Sequence, residues 1–141
     1  MWLNQIDENV QTITIDEINP SVNTSDKAGD YYKQRGHKED RVSPLWRLIR
    51  HKLEPEVVID VGANYGYTGC LLSTRLGAKR LIAIEPDPRL TTILRNNLNQ
   101  IAADREVEII QAVAMSRRDC ITKIGINPGS IQDNRVVAQQ N

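Results

Sequence analysis

Asp60 sits in the apolar run Val57–Val61, and Gly62 and Gly66 follow it in the spacing D-x-G-x-x-x-G. A second apolar run, Leu81–Ile84, leads into Glu85, roughly twenty residues beyond the loop, where an open α/β sheet puts the acid that accepts hydrogen bonds from ribose hydroxyls. A carboxylate near the end of a buried strand needs a partner, because an uncompensated buried charge is costly. Glycines after it let the backbone take positive φ or come close to a ligand. A helix opened by that turn points its unpaired N–H groups at the same place. These residue types in this order suit a cradle for a nucleoside-like cofactor.

The spacing differs from the dinucleotide fingerprint G-x-G-x-x-G, whose middle glycine lets the backbone approach a pyrophosphate. Asn64 occupies that middle position. The loop therefore favours a zwitterionic amino-acid tail over a pyrophosphate, and a nicotinamide enzyme is disfavoured. Gly69 is a weak echo of the third dinucleotide glycine. Each residue alone has an ordinary reading: Glu85 as a solvated strand-end acid, Asn64 as a helix cap, the glycines as a plain strand-to-helix turn. The combination carries the functional reading.

The surrounding elements agree with it. Val57–Val61 is short and β-branched, which suits a strand buried on both faces of a parallel sheet. Tyr67–Leu76 reads as a helix closed by Gly77, and Leu81–Glu85 as the second strand, with Pro86 holding Glu85 extended. Asp87 as N-cap and Pro88 at the first helical position open a helix whose apolar stripe is Leu90, Ile93, Leu94, Leu98 and Ile101. Val107–Val113 is the third strand, and right-handed helical crossovers join the three. Ile121–Ile126 is expected to pair with the third strand as a hairpin edge across the turn at Arg117–Asp119. Upstream, Ser43 and Pro44 open a helix with Leu45, Trp46, Leu48, Ile49 and Leu53 as its buried stripe.

Met1 to Asp30 differs in character. Gln11–Ile15 alternates like a strand, Asn19-Pro20 marks a turn, and the polar stretch Ser21–Gly29 reads as a linker. Tyr31–Val42 is charged and suits a short helix or a lid. The expected division is residues 1–42 as extension and linker or lid, and residues 43–141 as the cofactor-binding domain.

At these residues the chain resembles the class I S-adenosylmethionine-dependent methyltransferases, and within them the FkbM-type family. The matching segments are VVIDVGANYGYTG at Val57–Gly69, IEPDP at Ile84–Pro88, NNL at Asn96–Leu98 and QAVAMS at Gln111–Ser116. The resemblance spans roughly residues 31–137 of the chain and implies an α/β, Rossmann-like methyltransferase fold with a mostly parallel sheet. It further implies that Gly62, Asn64 and Gly66 line the methionine end of S-adenosyl-L-methionine, that Asp60 steadies the loop, and that Glu85 holds the ribose. Pro86 and Ala112 would flank the adenine. By resemblance the acceptor is a hydroxyl of a sugar or secondary metabolite.

One departure is large. Family members continue with further strands and a segment of the type K-I-D-x-E-G-x-E, which this sequence lacks. The expectation is a cofactor-binding half, incomplete at its C-terminus. Three explanations stand open: a fragment, a fold completed by a second copy or another chain, or a scaffold without catalysis. No residue has motif support as the catalytic base.

The 141 residues carry 18 basic and 18 acidic side chains, a formal net charge of +0. Nothing supplies the positive field that nucleic acid would favour. No apolar stretch is long enough to span a bilayer and no signal-peptide pattern follows Met1, so the expected compartment is the cytoplasm. Cys70 and Cys120 do not make a disulfide framework, and no clustered ligand spacing suggests a metal. His37 and His51 read as surface or packing residues. Tyr31 and Tyr32 more often anchor such a segment than cover a pocket. Asn127-Pro128-Gly129-Ser130 reads as a turn.

Overall fold

The computed structural model describes residues 8–35, 43–116, 123–125, 127 and 134–137. Its centre is a parallel sheet of three strands, β3 (Val57–Val61), β4 (Arg80–Ile84) and β5 (Glu106–Ile110), in that spatial order. Helix α3 (Tyr67–Leu76) joins β3 to β4, and α4 (Thr91–Ile101) joins β4 to β5. This is an α/β fold of Rossmann-like connectivity, as the alternation of apolar runs and helical stripes implies. The register runs Val57, Arg80, Glu106; Ile59, Ile82, Glu108; and Val61, Ile84, Ile110 across one face. Val58, Leu81 and Val107, then Asp60, Ala83 and Ile109, share the other.

The two faces are unequal. Val58, Leu81 and Ala83 are buried, packed with Leu71 of α3 and Leu94 and Leu98 of α4 in one core. Ile59 and Val61 are 61% and 59% exposed. The expectation of a strand buried on both faces is therefore corrected: β3 is covered on the helix side only. The reason is topological, since the contacts of α3 and α4 with the strands leave the face of Val57, Ile59 and Val61 open.

Five further expectations change. The polar stretch expected to be a linker forms β2 (Ser21–Asn23), antiparallel to β1 (Val10–Thr12), and then enters α1 (Lys27–Arg35). Ile15, Ile18, Val22, Ala28 and Tyr32 are buried in the same core as the sheet, so residues 8–35 dock on the domain. Their apolar positions were few and spaced too irregularly to announce this. Helix α2 (Ser43–Leu53) forms as expected, but Leu45, Leu48 and Leu53 are exposed and only Ile49 joins the core's edge. The stripe exists in sequence; α3 covers only part of it.

Asp87 and Pro88 begin a tight turn, with Leu90 N donating to Asp87 O, and α4 itself starts at Thr91. Finally, β6 (Lys123–Gly125) pairs with β7 (Arg135–Val137), in a separate antiparallel sheet, and not with β5. The third strand also stops at Ile110, short of Val113. His37, Cys120, the turn at 117–119 and most of the Asn127–Ser130 turn lie outside the described residues.

Candidate functional site

The site is built where β3 and β4 end. Gly62 N and Ala63 N both donate to Ile84 O, at 2.9 and 3.1 Å, so the loop after β3 is stitched to the end of β4. The chain then turns back through three left-handed residues, Gly62 (φ 76), Asn64 (φ 53) and Gly66 (φ 80). Gly66 is required twice over. Its φ favours glycine, and a Cβ there would stand 2.8 Å from Leu94 Cδ1.

Glu85 holds the middle of that turn. Asn64 N donates to its Oε2 at 2.8 Å, and Asp87 N to its Oε1 at 2.9 Å. The carboxylate is buried, 7% exposed, and its two backbone donors partly offset the cost of placing a charge there. Each oxygen keeps further acceptor capacity. Asn64 Oδ1 is buried and has no hydrogen-bond partner among the described residues. An orphaned buried acceptor of this kind is uncommon in a folded protein.

Asp60 points under α3. Its Oδ2 accepts from Gly69 N at 2.8 Å, satisfying one of the free N–H groups of the helix's first turn and opposing the helix dipole with negative charge. Gly69 makes this approach possible, since a Cβ there would lie 2.8 Å from Asp60 Oδ2 and 3.0 Å from Leu81 Cδ1. The weak sequence echo thus has a defined packing role, close contact of helix and strand. Pro86 is half-buried beside Glu85, and Ala112 is exposed just beyond β5. Gly62, Asn64, Glu85 and Pro86 come together at the carboxyl ends of β3 and β4. Asp60 lies on the helix side of that group, and Ala112 follows the neighbouring strand.

Two residues have roles at this end of the sheet that the sequence reading did not give them. Asp87, 1% exposed, binds Arg89 through both carboxylate oxygens and takes a further bond at 2.7 Å from Asn134 Nδ2, which brings in the segment bearing β7. Burial pushes the Asp87 carboxyl up, but the hydrogen bonds from Arg89 and Asn134, with the Arg89 charge, outweigh it and hold the group below the ordinary carboxylate range. Asn97 is fully buried on α4 and bonds to both β2 and the loop. Its signal was present: a polar residue placed within the apolar stripe of Leu94, Leu98 and Ile101.

Burial, with the charge of Asp60 added, pushes the Cys70 thiol up to about 12 against the opposing pull of Arg105. It is an inert packing residue. His51 lines a cleft of ≈ 650 Å³ together with Arg47, Glu54 and Lys79, at the opposite end of the sheet from Glu85. That cleft shares no residue with the loop. Among the described residues, no group of three or more His, Cys, Asp or Glu could hold a metal ion. No helix among them is long and apolar enough to cross a membrane.

Three parallel strands in sequential order, linked by helices and bearing a glycine-hinged loop at their carboxyl ends, define an open α/β, Rossmann-like fold class. No protein-family model matches the chain. Among solved structures it is similar to a proposed transferase from Pyrococcus horikoshii, at 19% identity and TM-score 0.47, covering 72% of this chain and 36% of that one. It is also similar to a ribosomal protein L11 methylase from Lactobacillus delbrueckii subsp. bulgaricus, at 20% identity and TM-score 0.41, covering 56% of this chain and 41% of the other. The chain spans less than half the length of either protein.

Proposed function

We propose that this chain binds S-adenosyl-L-methionine and takes part in methyl transfer, with an FkbM-type enzyme as the reading that best unites its motifs. The carrying observation is the Glu85 to Asn64 tie: a buried acid at the end of β4 holding a left-handed asparagine in the loop after β3. The residues suit the cofactor. Asn64 Oδ1 offers a buried, unpartnered acceptor to a donor such as an ammonium group. Glu85 has acceptor capacity left for ribose hydroxyls. Pro86 and Ala112 supply apolar edges to a base, and the left-handed glycines keep side chains out of the loop.

When bound, the sulfonium supplies a methyl carbon already activated toward a nucleophile. The protein's part is to hold the donor and align an acceptor, which lowers the barrier through orientation. The proposed acceptor is a small-molecule hydroxyl, of a sugar or secondary metabolite, and the proposed compartment is the cytoplasm. Titration calorimetry tests the cofactor. S-adenosyl-L-methionine should bind, and Glu85→Ala should weaken it by about tenfold or more, the scale of a lost charge-assisted hydrogen bond. Preference for a nicotinamide dinucleotide would overturn the reading.

A second reading is supported by the open sheet face at Val57, Ile59 and Val61. Parallel sheets are ordinarily covered on both faces, so this chain would serve as a cofactor-binding half that a second copy or another chain completes. A methyl-transfer assay with the chain alone, run with its association state measured, separates the two: turnover by the monomer rules out the second.

A further inference from the structure

Asn97 makes three hydrogen bonds with no exposed surface. Its Oδ1 accepts from Ser21 N at 2.7 Å, and its Nδ2 donates to Ser21 O at 2.8 Å and to Tyr65 O at 2.7 Å. One side-chain amide thus grips both backbone groups of a β2 residue and one carbonyl of the loop. The carbonyl is a telling one, because Tyr65 sits between left-handed Asn64 and left-handed Gly66. Turning the Tyr65–Gly66 peptide would break the bond and leave a buried donor unpaired.

The same loop residue is held at its other end. Tyr65 is fully buried, and its hydroxyl donates to Asp26 Oδ2 at 3.3 Å, while Asp26 Oδ2 also accepts from Ala28 N at 2.9 Å at the start of α1. The Tyr32 ring packs edge-on against Tyr65 at 6.3 Å. The loop is therefore clamped from two sides: Glu85 fixes Asn64 from the sheet, and Asn97 on α4, itself tied to Ser21, and Asp26 in the N-terminal segment fix Tyr65.

We propose that Asn97 is a positioning residue through which residues 8–35 set the conformation of the Asn64–Gly66 turn, and with it the affinity for the cofactor. The affinity part rests on the functional reading above; the conformational part does not. A merely structural Asn97 would glue β2 to α4 and leave the turn alone. The clamp differs because one of its three bonds ends on the loop itself.

The test uses Asn97→Asp, which keeps the acceptor for Ser21 N and loses both donated bonds, and Tyr65→Phe, which removes only the phenol's bonds to the N-terminal segment. Leu71→Ala serves as a control, since Leu71 is buried on α3 outside the loop. Two readouts are taken well below every unfolding temperature: calorimetric affinity for S-adenosyl-L-methionine, and native amide hydrogen exchange at Asn64, Tyr65 and Gly66. Asn97→Asp should weaken binding about tenfold and Tyr65→Phe by about threefold, the range of one lost hydrogen bond. Exchange at the turn should accelerate in both, with Cys70 and Leu71 on α3 unchanged, and Leu71→Ala should leave affinity at the wild-type value.

Wild-type affinity and exchange in both clamp variants overturn the proposal, as does an equal affinity loss in Leu71→Ala. If Asn97→Asp does not fold, Tyr65→Phe decides by the same two readouts. If the wild type does not bind the cofactor at all, the functional reading fails, and exchange alone then supports or overturns the clamp.

Discussion

At Gly69, absence of a side chain brings strand and helix together: Asp60 Oδ2 lies where a Cβ would need room, and Leu81 closes the other side. Gly69→Ala forces either the carboxylate or the helix to move, so stability should fall by about 1–3 kcal/mol, the usual cost of overpacking. Denaturant unfolding measures this, and an unchanged midpoint would refute the tight contact. Asp87 gives a prediction in pH. Its folded pKa is held below the unfolded value, so its contribution is fully present above about pH 4 and is lost as pH falls through the folded pKa. Asp87→Asn should therefore cost stability at neutral pH, and the gap to wild type should shrink toward pH 2–3. Thermal unfolding across that range checks the sign. A gap that widens in acid would contradict the Arg89 and Asn134 pairing.

Among the elements, the three sheet strands and the helices between them were legible because apolar runs and stripes of ordinary length are bounded by Gly66, Gly77 and the Glu85-Pro86 pair. The geometry of the candidate site's loop was legible for a related reason. Positive φ at Gly62 and Gly66 needs glycine, and a buried acid at Glu85 needs donors, so both leave marks in residue type. What stayed hidden depends on distant contacts. The docking of β1 and β2 rests on Asn97 reaching Ser21, and on the Tyr67 hydroxyl meeting Asp16, pairs that local sequence does not announce. Helix α2 failed in the opposite way, since a good stripe does not say whether anything covers it. Leu48 is 55% exposed. Leu48→Ser should accordingly change stability by no more than about 0.5 kcal/mol, as for other surface substitutions, in the same unfolding measurement. A loss of about 2 kcal/mol or more would mean that the helix packs more deeply than α3 alone allows.

For the whole molecule, the unequal faces of the sheet decide how it behaves in solution. Val58 and Ile59 are neighbours in β3 with the same backbone and β-branched side chains, yet Val58 is buried under the helices and Ile59 stands open beside Val61. An open apolar face of several residues is a surface that water disfavours and that partners exploit. Threonine separates the two faces, because it keeps the branched Cβ and puts a hydroxyl in place of an alkyl group. Val58→Thr places that hydroxyl in the core and should cost about 1–3 kcal/mol. Ile59→Thr places it in solvent and should cost no more than about 0.5 kcal/mol. Both are read by denaturant unfolding at two protein concentrations tenfold apart. If the face is open, wild-type stability is independent of concentration and only Val58→Thr is costly. If Ile59→Thr is as costly and wild-type stability rises with concentration, the face is buried between copies of the chain, because mass action then stabilises the associated form. That outcome would also favour the partner-completed half over the self-sufficient enzyme, since the uncovered side would be an assembly surface before any acceptor is bound.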